Sequence, residues 1–520
     1  MSRNFLRISA AAAICLSVAL VGTLGAKTSD KKSSNQATNR KAAVLLVTSD
    51  KLAESWQRFA YWKTKIGKPT KIVTISEIDK NYKGADLQEK IRQCVLAHIK
   101  SDKTRWVILG GDSKPGGKGE VPDRDTPHNL GRMRFKDIPT DIYYVSEKSW
   151  DANGDGIYGD LRNDASEISY TGKAVIGRIP VNTKQQVSDY TDKIIAYESN
   201  YPTSKFATNM LYTCAVQMAN YKAKMLWDVY LKPHWKAGKC DKFFVNKTPW
   251  DKSRPGDYNL TPANWLEKLN SKKYGKMHMH GHGLIYCWQL EGTGRRNRWG
   301  RRRPSLVTAD TVAKLTNKNA YLAMTTVSCF TGHYDDKKDP CIAESMLRQK
   351  DAGAVIVVAP SRYGVPIFDR GRDPRDGKTQ DGTTRTMTKF WYYALVKNMT
   401  AGEAFAAARK EYAKKSLKHA GWHFIQCEIN LLGDPTLDLR AKEVTPADFT
   451  FTFEKGKLTV KTDPGLNVCI MKGENIYQVK TADKKGIAQF KVSPRTEGTL
   501  YITVSGPSRN TVTKTVAYKS

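Results

Sequence analysis

From Ala42 to Arg440 short apolar runs alternate with stretches of helical period, and beyond Asp448 that alternation stops. AAVLLVT (42–48) reads as a strand, Leu52–Lys65 as a helix, Lys71–Ile75 as a strand and Asp86–Lys100 as a helix. Arg105–Leu109 is a third strand, ending in Gly110-Gly111-Asp112. Parallel neighbours need long crossovers, and helices of this length supply them, so the pattern predicts a parallel sheet covered by helices. It resumes after a helix at Val187–Glu198. Strands are expected at Met210–Val216, Phe243–Asn246, Met277–His282, Tyr321–Cys329 and Ala354–Ala359, with helices between them. This gives two α/β sheets, or two halves of one, with a junction around Tyr201–Ala207. The tail runs FTFTF, KLTVKT, NVCIMK, NIYQVKT, IAQFKV, TLYITVS and TVTKTVAY. Short alternating strands separated by turn residues predict a β-sandwich.

The N-terminus carries Arg3 and Arg7, then an apolar run from Ile8 to Leu24, then Gly25-Ala26. This is the pattern of a signal peptide cleaved near Ala26. No second spanning segment follows, so the expectation is an exported chain at a secreted, periplasmic or cell-surface location, with no transmembrane segment after cleavage. The polar stretch from Lys27 reads as a linker. The formal charge is +34, and removal of Arg3 and Arg7 leaves +32. Such a field favours encounter with acidic partners, an anionic polymer among them, and equally suits a solvated basic surface. Nine cysteines leave eight after Cys15 is removed with the signal. Export permits disulfides, but spacing does not give their pairing.

Two expected strands end in reactive side chains. KMHMHGHG ends at Gly281-His282-Gly283, and YLAMTTVSCFTG carries Cys329. Ligand sites of parallel α/β folds lie at the carboxyl ends of strands. There Cys329 could attack a carbonyl while His282 protonates the leaving amine and later activates water. The backbone N–H groups of Gly283 and Cys329 are the candidate oxyanion donors. No cofactor is needed for that chemistry, and the substrate would be a protein or peptide.

GHG (281–283), TTVSCFTGHYDD (325–336) and IAESML (342–347) resemble the gingipain family of cysteine peptidases, relatives of the caspases. GAVIVVAPSRYG, NLLGDPTLDL, PTDIYYVSEKSWDANGDGIYGD and VIGRIPV match further family segments in order. The resemblance spans roughly 42 to 520. It implies a caspase-like α/β fold of parallel sheets in two subdomains, a Cys329–His282 dyad, a thioester intermediate, and a C-terminal immunoglobulin-like β-sandwich. The expected organisation is signal peptide 1–26, linker 27–41, N-terminal subdomain 42–204, catalytic subdomain 205–441 and sandwich 442–520. The family's acid for Arg or Lys preference has no match after LYTCAV, so trypsin-like specificity is not implied. No acid that would orient His282 is identified either.

Three further patterns invite other chemistry. His278, His280 and His282 alternate, and on one continuous strand would share a face able to bind zinc, the basis of a zinc-dependent hydrolase reading. Asp151, Asn153, Asp155, Ile157 and Asp160 follow the start of a calcium loop, with Gly156 at the turn. Position twelve is Arg162 and not Glu, so this is a candidate structural calcium site without a full EF-hand. The insert RRNRWGRRRP (295–304) could be a solvated loop, a patch for anionic polymer or a wall of the substrate groove. A non-catalytic surface- or matrix-binding protein would use the same basic surface.

Overall fold

The computed structural model describes residues 40–202, 205–214, 225–244, 258–290, 304–367, 381–493 and 497–518. The signal peptide, nearly all of the linker and the arginines of the insert at 295–303 lie outside the described residues. Eleven strands form the central sheet. In chain order they are β1 Val44–Thr48, β2 Thr70–Thr74, β3 Trp106–Leu109, β4 Val175–Arg178, β5 Asn209–Cys214, β6 Lys239–Phe244, β7 Tyr258–Asn259, β8 Lys276–His280, β9 Leu322–Thr326, β10 Ala354–Pro360 and β11 Ile429–Gly433. Their order across the sheet is β7-β6-β5-β8-β9-β10-β11-β4-β3-β1-β2. The two predicted stretches of α/β pattern are thus two halves of one sheet. β1, β8, β9 and β10 are buried at every position, as helices on both faces require.

The seam between the halves is β11 beside β4, bridged at Leu432 and Arg178. β11 runs antiparallel to β10, in contrast to the parallel pairs elsewhere in the sheet. Arg178 is wholly buried. Its guanidinium grips Asp141 at 2.9 and 2.7 Å and donates to the carbonyls of Gly111, Val121 and Pro122. A buried charge persists only when paired and fully hydrogen-bonded, and here it locks the N-terminal half to its long loop.

Sequence reasoning missed several elements, the strand Val175–Arg178 and the helix Ile75–Asn81 among them, and three of the others show why. The hairpin Arg124–Leu130 and Met133–Thr140 is polar, carries two prolines and one exposed side, and so lacks a clean apolar alternation. The helix Ala420–Glu428 is buried on all sides past its first residue and has no polar face to reveal its period. β11 follows it without a break. Two predicted strands also end early: β8 stops at His280 and β9 at Thr326.

The C-terminal strands form the expected sandwich. Phe449–Glu454, Lys457–Thr462 and Ile487–Lys491 make one sheet, and Ile476–Thr481, Asn467–Lys472, Gly498–Ser505 and Val512–Tyr518 the other. Its own core includes Leu458, Val460, Val468, Ile470, Leu500 and Ile502. Each such aliphatic side chain contributes about 1.5–3 kcal/mol on burial. The sandwich is docked by reciprocal bonds between Asn510 and the backbone of Tyr201, at 3.0 and 2.6 Å, and by Thr511 N–H to the Glu198 carbonyl at 2.8 Å. Among the described residues no helix is long and apolar enough to cross a membrane.

Candidate active site

β8 and β9 are parallel neighbours, with His278 opposite Thr325 and Met279 opposite Thr326. Past their ends the two segments diverge in kind. Val327 N–H still reaches the Met279 carbonyl at 3.1 Å, after which the chain turns through Ser328 and Cys329. On the other side Gly281 breaks β8, and His282–Leu284 pairs back on Cys287–Leu290 as a two-residue hairpin. His282 therefore sits on that hairpin and not at the end of β8, and Cys329 sits in the turn after β9.

The two segments nevertheless meet. A Cβ added to Gly283 would lie 2.6 Å from Thr331 Cγ2, 2.7 Å from the Cys329 carbonyl oxygen and 2.8 Å from Ser328 Cβ. Only glycine lets the hairpin backbone lie directly on the cysteine turn. His282, next in the chain, and Cys329 are both half-buried, and Cys329 is a free thiol.

The turn after the thiol is strained and braced. Phe330 has φ of 58°, in the left-handed region that bulky residues avoid. Its N–H donates to the Arg362 carbonyl, Gly332 N–H to the Pro360 carbonyl at 2.8 Å, and Ala343 N–H to the Thr331 carbonyl at 3.0 Å. Thr331 Oγ1 closes the turn on the Ser328 carbonyl at 2.7 Å. Arg362 is itself held by Asp335, in a buried fork of 3.0 and 2.6 Å. His333 stands 3.5 Å from Asp335 in this same network. Sequence reasoning found none of these supports. They are spread over thirty-odd positions, and only the glycine of SRYG hints at a tight contact: a Cβ on Gly364 would fall 1.9 Å from the Val327 carbonyl oxygen.

Burial pushes the Cys329 thiol up from its ordinary value of 9.0. The Gly364 N–H and its own N–H oppose that rise, while the Glu428 carboxyl adds to it. Glu428 is buried under the 361–365 loop, with Oε2 unpartnered, and burial holds it well above the usual carboxylate range. The thiolate is the reactive form of a cysteine, and burial works against it here. Alkylation of Cys329 by iodoacetamide is expected to rise about tenfold per pH unit through about pH 9 without levelling off. A plateau below about pH 8 would reveal instead a thiolate already ion-paired at rest.

The other sequence candidates lie elsewhere. His278 and His280 are buried under the sheet's covering helices, their rings 5.8 Å apart, and His278 Nδ1 is bonded to Thr325 Oγ1 at 2.8 Å. Burial lowers both imidazoles, His280 to about 4. Because Gly281 turns the chain, His282 leaves their row, and among the described residues the three do not converge as a metal-binding group. The Asp151–Asp164 loop is exposed over most of its length. Asp151 accepts from the N–H groups of Gly154, Asp155 and Gly156 at 2.8, 3.2 and 3.1 Å, and Asp155 from Ile157 at 2.8 Å.

A free thiol in a braced turn and a histidine on the adjoining hairpin are the groups a thiol-dependent hydrolase needs, carried here on a parallel α/β sheet. The chain belongs to peptidase family C25, whose model matches residues 37–440, and is a gingipain-type cysteine peptidase. Its fold is similar to that of the Arg-specific cysteine proteinase gingipain R, with TM-score 0.65 and 19% identity over 94% of this chain and 100% of that one. The complex of RgpB pro- and mature domains from Porphyromonas gingivalis matches with TM-score 0.65 and 19% identity, over 92% and 100% of the two chains. A structure described as a protease matches with TM-score 0.65 and 16% identity, over 92% and 98%. No curated protein sequence matches this one.

Proposed function

We propose that the chain is an exported endopeptidase in which Cys329 attacks the peptide carbonyl and His282 manages the protons. The observation that carries this reading is the contact of Gly283 with the Ser328–Cys329–Thr331 turn, which brings the histidine's hairpin onto the nucleophile's turn. His282 takes the Cys329 thiol proton as the sulfur bonds to the carbonyl carbon; the C–N bond then breaks, the amine leaves with that proton, and a thioester remains. Water, deprotonated by His282, then releases the acid and restores the thiol. Gly283 stands one pair beyond the turn-closing pair of its hairpin, on an edge strand, and hydrogen-bonded pairs alternate along such a ladder. Its N–H therefore points out of the ladder and is suited to hold the oxyanion, with the Cys329 N–H as second donor. The signal-peptide pattern of the first 26 residues supports export. The order of strands in the two C-terminal sheets supports an immunoglobulin-like module. The decisive experiment is hydrolysis of peptides varied at the residue before the cut, by the parent and its Cys329→Ala variant.

Calcium is part of the same reading as a structural ion at Asp151, Asn153, Asp155, the Ile157 carbonyl and Asp160. Support comes from the left-handed Gly154 and Gly156, with φ of 72° and 77°, which curl the loop back on Asp151. The chemistry needs no ion. A chelator is expected to lower the melting temperature of the full chain by a few degrees, reversibly on adding Ca²⁺ and less so in Asp155→Ala. An unchanged melt would remove the ion from the account.

One observation favours an added role for the basic surface. The sandwich carries a groove of about 730 Å³ lined by Lys455, Lys457, Lys480 and Lys491. Among the described residues its lining contains no acid, so it suits an anionic polymer. Retention on a sulfated polysaccharide column should fall when these lysines become glutamine, with peptidase activity unchanged.

A further inference from the structure

A second cluster of reactive side chains lies away from the thiol. His128 is on the first strand of the hairpin Arg124–Leu130, while His423 and Cys427 are one turn apart on the helix Ala420–Glu428. All three are buried, and one donor atom from each lies within 4.8 Å of the others. The imidazoles lie close, with ring centres 4.4 Å apart.

Their tautomers follow from their partners. His423 Nε2 lies 2.9 Å from the Gly159 carbonyl, which only accepts, so Nε2 carries the proton and Nδ1 the lone pair. Thr126 Oγ1 donates its proton to the Ile138 carbonyl at 3.2 Å, so at 2.8 Å it accepts from His128 Nε2. Both rings are thus anchored through Nε2–H with Nδ1 left basic. That is the support usually given to metal-ligating histidines. His423 Nδ1 is 3.9 Å from Cys427 Sγ. A tetrahedral zinc ion with Zn–S of about 2.3 Å and Zn–N of about 2.0–2.1 Å sets an N···S edge of about 3.6 Å. Tyr170 Oη donates to the same Nδ1 at 2.6 Å. The other convergent group, Asp112, Asp339 and Glu344, is already served by Arg348, at 3.1 Å from Asp112 and 2.7 Å from Glu344, with a close contact to Asp339.

We propose that His128, His423 and Cys427 bind a divalent cation of the zinc class, pinning the hairpin 124–140 to the helix 420–428. On binding, the Cys427 S–H bond breaks, a sulfur–metal bond forms and the proton leaves to solvent. Tyr170 turns its hydrogen away and His423 Nδ1 gives its lone pair to the ion. Arg409, buried near Cys427, favours the thiolate so formed. The hairpin is not remote from catalysis. Its Phe135 packs on Phe424 at 5.2 Å and on Tyr363 at 5.7 Å, and Tyr363 packs on Phe330, the residue after the nucleophile, at 4.7 Å. The ion would therefore stiffen the wall behind Cys329 without touching substrate.

The test uses the full chain carrying Cys329→Ala, so that the nucleophile cannot take the metal. After dialysis against chelator, titration with Co²⁺ should give one equivalent bound, with thiolate-to-cobalt charge-transfer absorption and the visible bands of a tetrahedral ion. Adding Cys427→Ser should abolish the charge transfer, and bound zinc by elemental analysis should fall from about one per chain to near none. No absorption in the Cys329→Ala chain would overturn the proposal even if the double variant fails to fold. Undiminished absorption in the double variant would overturn it as well.

Discussion

Cys329→Ala should leave no measurable peptidase activity: loss of the nucleophile costs about 10⁶-fold in kcat where such groups act as a unit. The fold should survive, because the side chain is half-buried and the turn that carries it is held by the backbone bonds of Phe330, Gly332 and Ala343. Circular dichroism and thermal melts of parent and variant establish that first. Hydrolysis of a fluorogenic library varied at the residue before the cut then gives the outcome. Activity in the parent alone establishes the thiol mechanism and shows which side chain the groove selects. Equal activity in both would remove Cys329 as nucleophile. The resting thiol lies above its ordinary value, so substrate or His282 must draw its proton off, and the reaction should respond more steeply to pH than a preformed ion pair would allow.

Gly283→Ala should be nearly as damaging, although it removes nothing. The new methyl would meet Thr331, Cys329 and Ser328 at 2.6–2.8 Å, closer than a real Cβ ever sits. The cysteine turn cannot yield, since it is tied behind to Pro360 and Arg362. The hairpin must move instead, taking His282 and the Gly283 N–H with it. A displacement of about 1 Å costs about 10²-fold, and loss of one oxyanion donor about 10²–10³-fold in kcat. The expected result is a kcat lower by at least about 10²-fold with KM little changed. The alkylation rate of Cys329 separates causes: unchanged alkylation places the damage in His282 and the oxyanion donor, whereas altered alkylation places it in the thiol turn.

The pair of segments that carry His282 and Cys329 was legible because its signal is local. Gly-His-Gly and Ser-Cys each follow an apolar run, and parallel packing brings such ends to one edge of a sheet. What surrounds the pair was not legible, because each support is a partnership across distance. Phe330 adopts a left-handed backbone that no sequence pattern advertises, held by Arg362, which is held by Asp335. The two strands were read too long for a related reason: hydrophobicity continues past Thr326 through Val327, but the ladder gives only one more bond, from Val327 N–H to the Met279 carbonyl, before the chain turns. The helix Ala420–Glu428 escaped because burial on nearly all sides erases the polar stripe by which helices are recognised. The zinc reading of His278, His280 and His282 failed on a single bend at Gly281, which alternation alone cannot see.

The seam at β11 also bears on how the chain is made. β4 finds its sheet partner not in the next strand synthesised but in Ile429–Gly433, after every other strand of the sheet has been produced. Until those residues emerge, the N-terminal half carries an open strand edge, with backbone groups available to any passing chain. Arg178 lies at that edge and is bound inward to Asp141 and three carbonyls of its own half. The edge is only four residues long, and the Arg178 side chain at its end is already committed to its own half when the closing strand arrives.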